Sequence, residues 1–326
     1  MKIVRGIQNL NIKTPTAVTI GIFDGVHRGH QKILRQLKKY SRAIKGKSCV
    51  VTFKPHPLKV LKPRMTPPML ISSEHKLRLL EAEGVNIAVI INFTDDFAAM
   101  TPARFAKDIL KKKLNTKELL VGENFVLGKG RSGDVKHLKR IGPRFGFNIS
   151  VIKPLKSGNR VVSSTLIRKL IMSGDLKKAR QLLGRDVSVL GTVVKGSMRG
   201  RTIGFPTANV DPHHEAIPPS GVYIVKAKLE GKQYRGILNI GFRPTFHPAP
   251  TRRGWVHAVR NESEPVIEVH IFDFNKPIYG REMEIIFLKK IRDEKKFNNK
   301  LELIARVKRD TAIAKEYFKK AIYKCG

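Results

Sequence analysis

The sequence predicts a two-domain α/β protein, with a parallel, doubly wound sheet in the N-terminal half and an antiparallel β-barrel with a terminal helix in the C-terminal half. Short apolar runs alternate with segments of helical spacing up to about residue 184. After that point β-branched runs separated by Gly, Pro and Asn take over. The length of 326 residues also exceeds that of one ordinary domain. We therefore expect domains at 1–184 and 185–326.

The first domain is expected to alternate strands with helices. Its strands follow apolar runs at residues 17–22, 47–53, 88–91, 118–122 and 148–152. Its helices are expected directly after His30, from a cap at Ser72 or Ser73 to Gly84, from a cap at Thr101 followed by Pro102 through Leu110, from the segment 162–168 onward, and over 176–183 after a cap at Asp175. In a parallel sheet of this kind, ligands bind at the carboxyl ends of the strands.

The second domain is expected to form a small antiparallel barrel. Turn residues separate short β-branched runs at 187–194, 222–228, 234–240, 267–271 and 283–288. A final helix is expected over about residues 299–320. We place four of its apolar residues on one stripe, opposite many lysines: Leu301, Ile304, Val307 and Ile313.

Composition indicates a folded protein with a basic surface. The chain has 64 Lys and Arg residues against 26 Asp and Glu, a formal net charge of +38. These residues are spread along the chain, and the 7% of aromatic residues show no interleaving that would stack bases. We expect this surface to attract nucleotides, and any binding of nucleic acid to be incidental and to weaken steeply with salt.

Cysteine content and hydropathy point to the cytoplasm. No stretch approaches the ~20 apolar residues of a membrane span, and no cleavable leader is apparent. Cys49 and Cys325 are isolated, which favours a reducing compartment and argues against a zinc site. We therefore expect a cytoplasmic protein without zinc and without a membrane partner. The oligomeric state stays open, with a homo-oligomer among the options.

The segment 21–30 joins the first long apolar run to a helix and reads G-I-F-D-G-V-H-R-G-H. Three glycines let its backbone turn tightly and approach a ligand: Gly21, Gly25 and Gly29. The helix start attracts phosphate, and His27 and His30 can donate hydrogen bonds to charge that develops there. The alternatives are ordinary surface histidines or half of a zinc site, and the isolated cysteines disfavour zinc.

The segment 196–209 is a second glycine-spaced stretch and reads G-S-M-R-G-R-T-I-G-F-P-T-A-N. Three glycines could bring backbone amides to the phosphates of a nucleotide: Gly196, Gly200 and Gly204. Thr207 and Asn209 offer oxygens suited to Mg²⁺. A β-hairpin loop is an alternative of equal weight.

Three further groups of polar residues have both a catalytic and an ordinary interpretation. Glu268 and His270 alternate along a strand and so face one side of it, where a carboxylate could take a proton from a hydroxyl that attacks ATP. A strand with one polar face is the commoner case. The residues 163–165 could cap a helix or bind phosphate, with capping favoured. The loops 52–57 and 122–133 form the third group, since each follows a strand and is a candidate site or a plain connection.

These motifs together resemble one enzyme family. The H-x-G-H at residues 27–30 resembles the nucleotidyltransferase superfamily, and the longer segment 21–30 is similar to the adenylyltransferase half of the bacterial bifunctional riboflavin kinase/FAD synthetases. In the second half, segments with the family's kinase motifs occur in the family's order: 191–209 with P-T-A-N, 219–223, 239–246, 268–274, 279–280 and 291–297. The resemblance covers nearly the whole chain.

The resemblance implies a role for each matching position. His27 and His30 would bind ATP and stabilise the transition state of adenylyl transfer. The other ATP contacts implied in the first domain are Gly21, Phe23, Asp24, Gly25, Gly29, Asn124, Ser164, Thr165 and Arg168. Those implied in the kinase domain are Gly196, Gly200, Gly204, Thr207 and Asn209, of which the last two hold Mg²⁺. Glu268 would be the base for the 5′-hydroxyl of riboflavin, and the flavin would be bordered by Arg292 in the kinase site and Asn124 in the first.

The reaction sequence that this implies uses ATP twice. Riboflavin and ATP give FMN and ADP in the second domain, and FMN and a second ATP give FAD and pyrophosphate in the first. Two departures from the family pattern stand out: Val126–Leu127, where many relatives have a bulkier or basic pair, and a longer segment at 247–265. The alternatives are a chain with only one active half and a basic RNA-binding protein on this scaffold.

Overall fold

A computed structural model describes residues 1–8, 10–196, 200, 204–214, 216–242, 265–297 and 299–322. The chain divides into two compact units, one of Met1–Arg168 with Leu182–Gly184 and one of Lys169–Gln181 with Arg185–Gly326. The functional boundary at 184/185 stays a prediction. Most of the long segment expected at 247–265 lies outside the described residues. Within the described ranges, no helix has both the length and the apolar character needed to cross a membrane.

The first unit is built from strands with helices between them. Its strands are β1 Lys2–Arg5, β2 Thr16–Ile20, β3 Lys47–Lys54, β4 Ile87–Asn92, β5 Thr116–Gly122, β6 Val126–Leu127, β7 Gly133–Asp134, β8 Asn148–Ile152, β9 Lys156–Ser157 and β10 Arg160–Val161. Its α-helices are α1 Arg28–Ala43, α2 Pro57–Leu61, α3 Ser73–Ala82, α4 Asp95–Ala98, α5 Pro102–Arg104, α6 Val135–Ile141 and the first turn of α7 Ser164–Met172. Short 3₁₀ turns occur at Pro63–Met65, Lys129–Arg131 and Gly142–Phe145.

The main sheet of this unit has the order β1-β4-β3-β2-β5-β8, and all its strand pairs are parallel. The parallel sheet predicted from the sequence is therefore confirmed. Both faces of its central strands are buried, which explains their unbroken apolar runs. The chain moves from β2 to β3 on one side and returns to β5 on the other, so the point of reversal lies between β2 and β5. Ligands bind at such points.

Two helix predictions differ from the structure. The first helix begins at Arg28, inside the glycine-rich segment, because the side chain of His27 accepts a hydrogen bond from the backbone N–H of His30 and so caps it. The helix after Thr101 starts with the expected cap and Pro102, but it continues as a π-helix over Phe105–Lys113. The caps expected at Ser72 and Asp175 are confirmed.

The described part of the second unit contains a closed barrel and three helical segments. Its elements are the end of α7, most of α8 Leu176–Leu183, β11 Ser188–Val194, β12 Ala208–Asp211, β13 Gly221–Leu229, β14 Lys232–Phe242, β15 Pro265–Ile271, β16 Glu282–Arg292 and α9 Lys300–Ile322. The strands close in the order β11-β12-β15-β14-β13-β16, and the pairs are antiparallel. The predicted barrel is confirmed, and β12 is a strand that the sequence pattern does not indicate, because its four residues show too little alternation.

The helix α9 covers part of the outer face of the barrel. Its Ala314 and Phe318 pack against Ile224 of β13 and Ile237 of β14. The stripe predicted for this helix is wrong in part, because the side chains at two of its positions are exposed: Leu301, with 78% of its surface accessible, and Ile313, with 41%. The helix lies on the barrel through its second half, and its contact stripe continues from Val307 to Ala314 and Phe318.

Candidate active sites

The glycine-rich segment forms a tight turn between β2 and α1. Gly25 has a φ of +82°, a conformation that favours glycine, and a Cβ there would lie 2.8 Å from Leu70 Cδ1. A Cβ on Gly29 would lie 3.0 Å from the His27 ring and 3.3 Å from the carbonyl oxygen of Val162. The turn is therefore packed closely against the start of α7, where the segment 163–165 lies.

Two imidazoles are stacked at the start of α1. The ring centroids of His27 and His30 are 3.7 Å apart and the ring planes differ by 16°. His27 is buried, and its Nδ1 lies 3.3 Å from the backbone nitrogen of His30, from which it accepts a hydrogen bond. Since Nδ1 is an acceptor, the neutral ring carries its hydrogen on Nε2. The ring of Phe23 lies 4.9 Å from that of His30.

A buried ion pair joins this turn to α7. Arg168 Nη2 lies 3.0 Å from Asp24 Oδ2, and both side chains are largely buried. The Asp24 carboxylate also accepts hydrogen bonds from the backbone N–H of Leu70, at 2.9 and 3.1 Å. Burial raises the pKa of Asp24, while Leu70 N–H, Arg168 and Lys76 act in the opposite direction. The Asp24 carboxylate is therefore already occupied by the backbone N–H of Leu70 and the guanidinium of Arg168.

The other predicted contacts of this site lie around the same turn, on different elements. Ser164 Oγ donates a hydrogen bond to the Asp24 carbonyl oxygen at 2.8 Å. Ser163 caps α7 by accepting the backbone N–H of Leu166 at 3.3 Å, as favoured from the sequence. Thr165 is exposed on the same helix. Asn124 is exposed in the turn after β5, and β5 is the direct neighbour of β2 in the sheet.

Two basic residues lie near this site, of which sequence reasoning missed the buried Lys76 and included the half-buried His56 only within the candidate loop 52–57. Lys76 of α3 is buried, with its Nζ 3.5 Å from Thr52 Oγ1, and burial lowers its pKa to about 8. His56 caps α2 by accepting the backbone N–H of Leu58 at 3.0 Å. Burial lowers the pKa of His56, and the charges of Lys76 and Arg168 add to that effect. No signal marked Lys76, because a lysine in an amphipathic helix is ordinarily exposed.

The second site is organised by a row of residues across the barrel strands. Asn209 of β12 is the cross-strand partner of Glu268 on β15, and Glu268 is in turn the partner of Asn239 on β14. Asn239 pairs with Val222 of β13, which pairs with Arg292 of β16. The residues that alternate with Glu268 along β15 are buried, whereas Glu268 lies on the outer face. The row therefore brings the predicted Glu268, Asn209 and Arg292 onto one surface.

The described parts of the segment 196–209 lie against this row. A Cβ on Gly196 would lie 1.9 Å from Asn209 Nδ2, and one on Gly200 would lie 3.0 Å from Thr207 Oγ1. Gly204 has a φ of +84° with open space around its Cβ position. His270 Nδ1 lies 2.9 Å from the Pro206 carbonyl oxygen and so anchors the residue before Thr207.

A cavity of about 330 Å³ opens beside Thr207. Most of the residues that line it are apolar, and they come from β11, the chain just before β12, the start of β12, β15 and the segment after β15: Val193, Pro206, Thr207, Ala208, Val269, Ile271, Phe274, Asn275, Lys276, Pro277, Ile278 and Tyr279. No cluster of three or more His, Cys, Asp or Glu side chains suited to a metal ion is found within the described ranges. The Thr207 hydroxyl offers an oxygen ligand at this cavity, and the Asn209 amide offers another two residues along the chain.

Comparison with known proteins supports the assignment of both halves. A family model described as FAD synthetase matches residues 10–166, and one described as riboflavin kinase matches residues 183–318. Three relatives carry the name bifunctional riboflavin kinase/FMN adenylyltransferase. The Escherichia coli K12 protein is 38% identical, with 98% of each chain covered. The Buchnera aphidicola (subsp. Schizaphis graminum) protein is 36% identical, with 98% of this chain and 99% of that one covered. The Bacillus subtilis protein is 35% identical, with 93% and 92% covered.

A solved structure also matches along nearly the whole chain. It is titled as a macrolide-efflux protein from Streptococcus pneumoniae, is 29% identical with a TM-score of 0.80, and covers 97% of this chain and 99% of its own. The relatives favour neither a chain with a single active half nor an RNA-binding protein. The chain therefore belongs to the bifunctional riboflavin kinase/FMN adenylyltransferase family, with FMN adenylyltransferase activity in its first half, riboflavin kinase activity in its second, and ATP, riboflavin and FMN as substrates.

Proposed function

We propose that Glu268 is the general base of the kinase reaction and that His27 and His30 stabilise the transition state of adenylyl transfer. The cross-strand row of Asn209, Glu268 and Asn239 is the observation that supports the kinase assignment most directly. It places a carboxylate on the outer face of the barrel beside the segment with the P-T-A-N motif. In this arrangement Glu268 removes the proton from the riboflavin 5′-hydroxyl as that oxygen attacks the γ-phosphorus of ATP, and ADP leaves.

Thr207 and Asn209 are proposed to hold Mg²⁺ together with ATP. Their hydroxyl and amide oxygens are the ligand type that Mg²⁺ prefers, and two protein ligands leave room for water and phosphate oxygens. Once bound, the ion neutralises charge on the β- and γ-phosphates. Asn209 is 7% exposed, and Gly196 lies directly against its amide, so the side chain is held in one place. The cavity beside Thr207 is proposed to receive the nucleoside of ATP, since most of the residues that line it are apolar.

In the first half, the phosphate of FMN is proposed to attack the α-phosphorus of ATP, with pyrophosphate as the leaving group. The Nε2–H of His27 donates a hydrogen bond to an oxygen of the reacting phosphates. His30, stacked on His27, acts beside it. Asn124 follows β5 at the point where the sheet order reverses, across from the glycine-rich turn, and is proposed to contact ATP and the flavin. Neither reaction requires a covalent intermediate on the protein.

Several broader expectations remain part of this proposal. The net charge of +38 draws ATP and FMN toward the protein, and association with RNA is incidental and salt-sensitive. The scattered cysteines support a cytoplasmic enzyme. A homo-oligomer stays an open expectation.

The test separates the two reactions by substrate. Purified protein is incubated with riboflavin, ATP and Mg²⁺, and separately with FMN, ATP and Mg²⁺, and the flavins are followed by chromatography. Glu268→Gln is expected to stop FMN formation and to leave FAD formation from supplied FMN unchanged. Glu230→Gln is the matched control, because Glu230 forms an exposed ion pair with Arg281 on the same unit. Loss of both activities in folded Glu268→Gln protein would contradict the division of roles.

A further inference from the structure

We propose that Asp310, on the C-terminal helix α9, is a positioning residue for the riboflavin kinase reaction. Its carboxylate orients the guanidinium of Arg292, and this guanidinium borders the bound flavin. The inference rests on the flavin contact of Arg292 that the family resemblance implies, which we propose for this chain, and it makes α9 a functional part of the kinase site.

The Asp310 carboxylate accepts hydrogen bonds from two nitrogens of the Arg292 guanidinium. Arg292 Nε and Nη2 lie 2.9 and 2.8 Å from Asp310 Oδ2. The Asp310 side chain is 2% exposed and that of Arg292 is 16% exposed. On the other side, Arg306 Nε lies 3.2 Å from Asp310 Oδ1. A buried carboxylate between two arginines fixes the plane of the Arg292 guanidinium, since the fork of donors allows few alternatives.

The rest of the Arg292 guanidinium is also held. Its Nη1 donates a hydrogen bond to the Asp293 carbonyl oxygen at 2.9 Å, and its central carbon lies 5.7 Å from the centroid of the Phe297 ring. Contacts from one helix, the backbone and an aromatic ring thus constrain the group together. Burying the charges costs desolvation, and the apolar contacts of Ala314 and Phe318 already attach α9 to the barrel. What the ion pair adds is a defined orientation of Arg292.

The position of Arg292 fits a flavin whose hydroxyl lies at Glu268. From Glu268 the cross-strand row runs through Asn239 and Val222 to Arg292, which is three strand spacings. At about 4.8 Å per spacing, this is roughly 14 Å along the barrel surface. An extended riboflavin, from its 5′-hydroxyl to the far edge of its ring system, has a comparable length. Arg292 is therefore placed to meet the ring end while Glu268 meets the hydroxyl.

The test compares variants of the full-length protein. Asp310→Asn is expected to raise the KM for riboflavin at least tenfold, with the KM for ATP and the formation of FAD from FMN unchanged. Arg292→Lys keeps the charge without the fork and is expected to show the same defect. Glu316→Gln is the matched control, since it breaks an exposed ion pair with Lys320 on the same helix and is expected to change nothing. Riboflavin binding is measured independently by quenching of its fluorescence.

A double charge reversal separates positioning from simple anchoring of the helix. In an Arg306→Gln background, which removes the like charge beside residue 310, Arg292→Asp with Asp310→Arg is expected to restore thermal stability but not riboflavin binding, whereas recovery of both would show that the pair only anchors α9. An unchanged riboflavin KM in both Asp310→Asn and Arg292→Lys would overturn the proposal. Arg292→Ala separates the flavin contact of Arg292 from the positioning role of Asp310. If its riboflavin KM is normal, the proposed flavin contact itself is wrong; if it rises while that of Asp310→Asn does not, only the role of Asp310 is wrong.

Discussion

The His27 side chain caps α1 by accepting the backbone N–H of His30 at 3.3 Å, while the two rings stack with centroids 3.7 Å apart. One residue therefore starts the helix and determines which nitrogen carries the hydrogen of its own ring. Because Nδ1 is occupied as an acceptor, Nε2 is the ring nitrogen that carries the hydrogen. This explains physically why a histidine stands at a position where Ser, Thr, Asp or Asn is usual.

Replacing His27 by asparagine should separate these two roles. The Asn oxygen can accept the His30 N–H, so we expect the free energy of unfolding to stay within about 1 kcal/mol of the unmodified protein. The donor at the Nε2 position is lost, so FAD formation from FMN should fall about 10²- to 10³-fold. His27→Ala should show the same loss of rate and a further loss of roughly 1 kcal/mol in stability. FMN formation is the internal control, and a His27→Asn protein with full adenylyltransferase activity would exclude the donor role.

The contact between Gly196 and Asn209 predicts a steric effect on the kinase alone. A Cβ at residue 196 would overlap the Asn209 amide, at 1.9 Å from Nδ2, so Gly196→Ala must displace that side chain. We expect at least a tenfold loss of FMN formation, with FAD formation from FMN unchanged. A double-mutant cycle sharpens the test, since Gly196→Ala should cost little more once Asn209 has been changed to Ala. Fully additive losses in the cycle would mean that Gly196 acts by another route.

The parallel sheet and the barrel could be predicted because burial leaves a direct trace in the sequence. Strands buried on both faces, such as β3, read as continuous apolar runs, and the barrel strands alternate clearly. The glycine-rich turns could be predicted too, because few residue types tolerate a conformation such as that of Gly25. Burial and local backbone requirements are therefore the features of this fold that can be predicted from the sequence.

Pairings between distant residues could not be predicted in the same way. Asp24 and Arg168 are 144 positions apart, and the resemblance to a family named both without showing that they form an ion pair with each other. The row from Asn209 to Arg292 depends on strand register, which a sequence pattern does not specify when a strand is as short as β12. The stripe predicted for α9 is wrong at Leu301 and Ile313, because a helix that is only partly covered also has exposed apolar residues.

The observed face of α9 predicts opposite effects for two of its apolar residues. Phe318 is buried against Ile224 and Ile237, so Phe318→Ala should lower the stability of the second unit by about 3–5 kcal/mol. Leu301 is 78% exposed, and Leu301→Ala should change stability by no more than about 0.5 kcal/mol. The measurement is urea unfolding, with loss of kinase activity marking the transition of this unit. Comparable losses for both variants would favour the stripe first predicted from the sequence.

The buried Lys76 predicts how the stability of the first unit depends on pH. Burial lowers the pKa of Lys76 to about 8, from 10.5 for the ordinary side chain, while Asp24 and Glu74 act in the opposite direction. Between these two values the unfolded chain binds more protons than the folded one, so raising the pH stabilises the fold. The gain should approach, at most, about 1.4 kcal/mol per pH unit.

Urea unfolding at pH 7.5 and 9.5 checks this dependence, with loss of FAD formation marking the transition of the first unit. From pH 7.5 to pH 9.5 the unmodified protein should gain stability relative to Lys76→Met, because the methionine side chain at residue 76 has no proton to release. Lys39→Met, which changes an exposed lysine on α1, is the matched control and should follow the unmodified protein. If Lys76→Met and the unmodified protein instead respond alike, Lys76 does not titrate in this range, and its ammonium is compensated within the fold more fully than its contacts with Thr52 and Asp24 imply.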